Sequence, residues 1–168
     1  MALRRRVDEV NRKELAAIKA PSKQWISLDF QQDNALAEEH FKNHRLAQTL
    51  TLKLGTKVVL LTNLKPKHGL VNGSQGEVVD FEEVSEEITG KATFEMRQKY
   101  EFHGTYKFAP VVQFTNGKRK TITADAMSSL VTSKTPDGFG PKVVCRTQIP
   151  LALAWALTIH KSQGMTLE

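Results

Sequence analysis

"LTLKLGTKVVLLTNLKPKHGLVNGSQGEVVDFEE", residues 50–83, decides the fold class. From Leu52 onward it reads as β-structure. Val58 to Leu61 form an unbroken apolar run, the signature of a strand buried on both faces. Asn72-Gly73 is a tight-turn signal, and a strand is predicted over Gly76 to Phe81. Downstream, "APVVQFTNGKRKTITA" (109–124) sets two β-rich runs around Asn116-Gly117, and "PKVVCRTQI" (141–149) is a further strand closed by Pro150. Short strands separated by turn signals predict a small barrel or sandwich from about residue 52 to 150. Upstream, Leu3, Val7, Val10, Leu15 and Ile18 space out a helical stripe that Pro21 and Ser22 end. Trp25 to Phe30 reads as a strand, and Asn34 to Leu50 as a helix capped by Asp33 or Asn34. A short helix is predicted over Leu153 to Gln163, stopped by Gly164. The expected class is α+β.

The 168 residues suffice for one ordinary domain, or one domain and pieces of another, and 40% of them are hydrophobic, enough for a core. No apolar run reaches the roughly 18 residues of a membrane span. The N-terminus lacks an apolar signal core, and Asp8 and Glu9 directly after "LRRR" argue against an organelle presequence. A lone cysteine, Cys145, excludes an internal disulfide and a cysteine zinc cage, and fits a reducing intracellular compartment. Lysine and arginine number 24 against 18 acids, a net charge of +6, which favours polyanionic partners. Base gathers at "NGKRK" (116–120), at Lys53, Lys57, Lys65 and Lys67, and in the N-terminal arginines; acid gathers at 81–87.

Few motifs carry chemistry. Gly69, Gly73 and Gly76 lack the G-x-x-x-x-G-K-[ST] spacing of a phosphate loop and read as turn glycines, and no such loop occurs elsewhere in the chain. His40 and His44 stand four apart without the glutamate of H-E-x-x-H or an evident third ligand, so a solvated helix face is expected rather than zinc. Cys145 alternates with apolar neighbours and reads as a buried structural thiol. "NGKRK" reads as a nucleic-acid contact or as a solvated hairpin tip. "IHKSQGMTLE" (159–168) is distinctive. On a helix His160, Gln163 and Gly164 share a face, and with Ser162 they suit hydrogen bonding to phosphates and a nucleotide.

"QIPLALAWALTIHKSQGMTLE" (148–168) resembles motif five of the PIF-family DNA helicases, in the superfamily-one 5′-to-3′ group with RecD and Dda. The 50–83 stretch is similar to that family's strand leading into G-L-V-N-G-x-x-G-x-V. "VVQFTNGKRKTI" (111–122) resembles the following strand pair, and "VDEVN" (7–11) the tail of motif four. The resemblance runs through nearly the whole chain in order. It implies a small SH3-like β-barrel inserted in an incomplete RecA-like motor domain: residues 1–51 the early part of the second motor domain, 52–150 the barrel, 151–168 the return at motif five. Walker A, Walker B and motif six with its arginine finger are missing. The resemblance therefore implies a C-terminal fragment or truncated product, inactive alone, of an ATP- and Mg2+-dependent helicase. The expected partners are single-stranded DNA and the missing N-terminal motor domain, not a membrane. The setting is DNA replication, repair, recombination or telomere maintenance, in the nucleus or mitochondrion if the source is eukaryotic. Carried over, His160 and Ser162 contact the DNA backbone, and Lys161 a phosphate or solvent. Lys118 and Arg119 add DNA contacts from the barrel. Gln163 relays between DNA and nucleotide, the Gly164 backbone lies by the γ-phosphate, and Glu168 stands where the family has a carboxylate, usually Asp. The competing expectation is a stand-alone, non-catalytic β-barrel that binds nucleic acid or protein.

Overall fold

The computed structural model describes residues 2–30, 38, 40–42, 44–84, 108–131 and 142–156. Helix α1 (Ala2–Ala17) opens the chain. It buries Val7 and Asn11 and half-buries Leu15, while Leu3 and Val10 of the predicted stripe face solvent. The Lys53 ammonium donates to the Leu15 and Ile18 carbonyls at 2.9 and 3.0 Å. A cation thus adds to the Ile18 N–H on the Leu15 carbonyl, takes the Ile18 carbonyl just beyond the helix, and ties the helix to the β-structure.

The strands are β1 (Lys23–Ile26), β2 (Leu28–Phe30), β3 (Thr49–Leu52), β4 (Lys57–Leu60), β5 (Gln75–Glu83), β6 (Phe108–Phe114), β7 (Arg119–Thr121), β8 (Asp125–Val131), β9 (Lys142–Gln148) and β10 (Leu151–Leu153). A single 3-10 turn, Pro66–His68, sits between β4 and β5. The strands form three antiparallel sheets, in the orders β1-β3, β10-β4-β5-β6-β7 and β2-β9-β8. The α+β class holds. The five-stranded ladder is open, with β10 and β7 at its edges, rather than a closed barrel.

The apolar run on β4 has the expected cause. Val58 and Leu60 enter the main core with Trp25, Leu52, Val78, Val112 and Ile122, while Val59 and Leu61 enter a second cluster around Leu46. Each face of the strand is covered, so period-two alternation disappears. Gly76 permits a close approach of β5 to β6. A Cβ there would stand 2.6 Å from Val112 Cγ1 and 2.8 Å from the Gln113 carbonyl oxygen. Backbone cannot yield as a side chain does. Gly76→Ala is therefore expected to lose about 1–3 kcal/mol of unfolding free energy, measurable by urea titration. A variant as stable as the parent would show that the ladder shifts freely.

Three predicted elements differ. The strand at 25–30 is two strands parted at Ser27, whose N–H donates to the Gln48 carbonyl. The helix expected over Asn34 to Leu50 is seen at residues 38 and 40–42 but does not extend through 44–50. His44 Nδ1 accepts the Leu46 N–H, and Thr49–Leu52, with its own period of two, pairs with β1. The helix expected from Leu153 does not begin there: Leu151–Leu153 is strand β10 on the free edge of β4, and a bend follows. Residues 157–163 of that expectation lie outside the described residues.

Strand β9 carries a buried polar row. Arg146, 3% exposed, makes a two-pronged contact with Asp29: Nε to Oδ1 at 2.7 Å and Nη2 to Oδ2 at 2.8 Å. Its Nη1 donates to the carbonyls of Phe41 and Leu46, and its guanidinium lies over the Phe41 ring. Two residues on, Gln148 Nε2 donates to the carbonyls of Trp25 and Ala47, and its Oε1 accepts the Ile149 N–H. These side chains hold Phe41 and the irregular 44–48 stretch against the sheets.

Candidate nucleic-acid interface

Between β6 and β7 the chain reverses at Asn116-Gly117. Gly117 takes φ +88°, which glycine adopts without strain, and Asn116 Oδ1 accepts the Lys118 N–H. The same asparagine reaches across to another loop. Its Nδ2 donates to the carbonyls of His68 and Gly69, at 3.3 and 3.4 Å. Gly69 has φ +74°, and a Cβ there would meet Asn116 Nδ2 at 2.9 Å. The hairpin tip is thereby latched to the 3-10 turn.

The turn has its own closure. Lys65 and Leu70 exchange backbone hydrogen bonds, each 3.1 Å. Beyond it, Ser74 Oγ donates to the Gly69 carbonyl and accepts the Val71 N–H. The Asn72 N–H goes to Asn63 Oδ1 and the Gly73 N–H to the Leu60 carbonyl. Asn72 and Gly73 are thus turn-formers. A cavity of about 250 Å3 lies between loop and hairpin, lined by Gly69, Asn72, Gly73, Gln75, Thr115 and Asn116.

Cations surround this assembly. Lys65, Lys67, Lys118 and Arg119 are exposed, and Lys120 is half-buried. Arg119 pairs with Gln113 and Lys120 with Val112, so the two point to opposite faces of the edge strand. Partial burial pulls Lys120 below the usual lysine value, and the neighbouring Lys65 charge pulls it further. Of the residues expected to bind DNA, Lys118 and Arg119 therefore sit on a built hairpin. In the sequence Lys120 and Lys65 stand out only as members of two separate basic stretches. No spacing could reveal that their elements meet, because the Asn116 latch that joins them is long-range.

His160, Lys161, Ser162, Gln163, Gly164 and Glu168 lie outside the described residues. The chain leading to them is held firmly. Asn11 Nδ2 donates to the Ala156 carbonyl at 3.0 Å, and Asn11 Oδ1 accepts the Ala156 N–H at 2.9 Å. The amide mimics a paired strand, and at 6% exposure it works away from water. Asn11 closes the "VDEVN" stretch, but nothing in the sequence marks its side chain as a clamp. His40 and His44 meet edge to face with ring centres 5.4 Å apart, and His44 is pushed below the usual histidine value, first by burial and then by the Arg146 charge. Its Nδ1 is committed to Leu46. Cys145 is half-buried, not buried.

The profile of the DNA helicase Pif1 2B domain matches residues 33–81. The human ATP-dependent DNA helicase PIF1 is 38% identical over 123 residues, 73% of this chain and 15% of that protein. The chain belongs to the PIF helicase family. The Pif1 helicase of Candida albicans superimposes with a TM-score of 0.66 at 29% identity, over 98% of this chain and 36% of that one. Bacteroides Pif1, in complex with ADP-AlF3 and single-stranded DNA, has the same fold, with a TM-score of 0.64 at 21% identity over 97% of this chain and 30% of that one. The chain thus spans about a seventh of the human PIF relative's length.

Proposed function

We propose that this chain is the part of a PIF-like, ATP-dependent 5′-to-3′ DNA helicase that grips single-stranded DNA and couples that grip to ATP. The observation that carries the reading is the cation-rimmed hairpin, latched to the G-L-V-N-G loop within a chain of this family. In this reading residues 52–150 are the SH3-like insertion, and 1–51 and 151–168 belong to the second RecA-like motor domain. Lys118, Arg119, His160, Lys161 and Ser162 hold DNA phosphates, while Gln163, Gly164 and Glu168 relay to the nucleotide cleft. ATP and Mg2+ do not fit this chain alone: no phosphate-loop spacing occurs in its 168 residues, so they are held with a motor domain supplied by the parent enzyme. Work in DNA replication, repair, recombination or telomere maintenance, in the nucleus or mitochondrion if the source is eukaryotic, follows from the same reading.

Fluorescence anisotropy on a labelled single-stranded oligonucleotide tests it. Binding is expected to weaken as salt rises. The log–log slope should become shallower by about 1.4 in the Lys118→Ala/Arg119→Ala variant, at about 0.7 for each phosphate no longer neutralised. No binding at low salt, or an affinity indifferent to salt, would overturn the reading.

A further inference from the structure

We infer that the cavity between the 69–75 loop and the β6–β7 hairpin receives one unstacked nucleobase. The strand-borne form of this inference rests on the function proposed above; the base-binding cavity itself does not. The cavity measures about 250 Å3, just under the roughly 300–1,000 Å3 of drug-sized pockets, and so suits a single planar heterocycle. Its walls are fixed by bonds of the fold. The Gly69 carbonyl accepts from both Ser74 Oγ and Asn116 Nδ2, the Ser74 N–H goes to the Val71 carbonyl, and the Thr115 N–H goes to the Gln75 carbonyl. A ligand therefore meets a preformed site and orders little of the protein on entry.

The lining separates charge from neutral polarity. Among the described residues no ionisable side chain lines the cavity. Asn72 and Gln75 bring carboxamides and Thr115 a hydroxyl, and each such group can both donate and accept. The edges of nucleobases likewise set donors beside acceptors, and a carboxamide matches such an edge with two hydrogen bonds. Val71 and Phe114 add apolar lining. The cations stand outside: exposed Lys67 and Lys118 each lie two positions from a lining residue, Gly69 and Asn116 respectively. A nucleotide has the same division, a neutral ring beside a charged phosphate. Uncharged walls favour the ring over the phosphate as the occupant, because a charge buried there would lose its water without gaining a partner charge. An unstacked base of a single strand and the base of a free nucleotide present the same edges.

Two-dimensional amide NMR of the full chain compares 2′-deoxyadenosine 5′-monophosphate with 2-deoxyribose 5-phosphate, which carries the same phosphate and no base. The nucleotide is expected to shift the amides of Asn72, Gly73, Gln75 and Thr115, and the sugar phosphate is not. This comparison is made on the parent chain and needs no variant to fold. The Asn72→Ala/Gln75→Ala variant should bind the nucleotide about fivefold or more weakly, the least effect of losing a two-bonded base contact. Fluorescence anisotropy with a single-stranded oligonucleotide and its fully abasic counterpart, which carry equal charge, then identifies the source of the base. A deficit of the abasic strand that shrinks in the double variant assigns the cavity to a base of the strand. A deficit absent or untouched by the variant, with the nucleotide still bound, assigns it to a free nucleotide. Equal shifts from nucleotide and sugar phosphate, or a nucleotide affinity unchanged in the double variant, overturn the inference. If both strands bind with salt-dependent affinity in that case, the proposed function stands without it. If the nucleotide binds and neither strand does, the inference stands and that reading falls.

Discussion

Arg146→Met is expected to lower the unfolding free energy by about 3 kcal/mol, the low end of the range for breaking a buried ion pair. The guanidinium is 3% exposed, and removing it strands several groups together. The Asp29 carboxylate loses both of its charged donors, the Leu46 carbonyl loses its guanidinium donor, and the Phe41 carbonyl is left with the His44 N–H. Asp29 is 18% exposed and keeps the Ser27 hydroxyl, so water and one hydrogen bond soften the loss. Urea unfolding gives the number. Combining the change with Asp29→Leu should recover part of it, since the orphaned charge is then gone; a single-variant loss below about 1 kcal/mol would show that the pair contributes little.

Asn11→Asp should rank next. The asparagine amide both donates to and accepts from Ala156, and a carboxylate can only accept. One bond becomes an oxygen–oxygen confrontation in a part-buried site. A loss of about 1–3 kcal/mol is expected from the unmade bond, with the buried charge adding to it. Asn11→Ala removes both bonds without the charge. It should speed hydrogen exchange at the Ala156 amide about 10- to 100-fold, in proportion to the free energy lost by local opening. Unchanged exchange at Ala156 in Asn11→Ala would mean that the clamp seen in the structure carries no weight.

What can be read in the sequence is local. Val58 to Leu61 announce a doubly covered strand, and Asn116-Gly117 announces its hairpin, because each signal is contained in a few neighbouring residues. The helix predictions fail at Thr49 and Leu50 and at Leu153 for a shared reason. Both segments are short, Thr49–Leu52 alternating and Leu151–Leu153 apolar, and each becomes a strand because an edge lies free for it, on β1 and on β4 respectively. Nothing local marks the roles of Arg146, Gln148 and Asn11. Each makes its defining bonds across 100 or more positions, as Arg146 does with Leu46, Gln148 with Ala47 and Asn11 with Ala156. The basic hairpin tip is visible as composition. The meeting of the basic loop with the basic hairpin requires the Asn116 latch, which no single stretch contains.

The Asn11 clamp has a mechanical consequence. It fastens two points 145 positions apart and, with the Lys53 bonds to the Leu15 and Ile18 carbonyls, mounts the sheets between them on one helix, with their entrance and exit side by side. A body mounted this way can swing as one lever without drawing in chain at either end. Force arriving at the hairpin tip has a direct line through β4 and β10 to the peptide that precedes residue 157. A body fastened at two distant feet would instead have to bend.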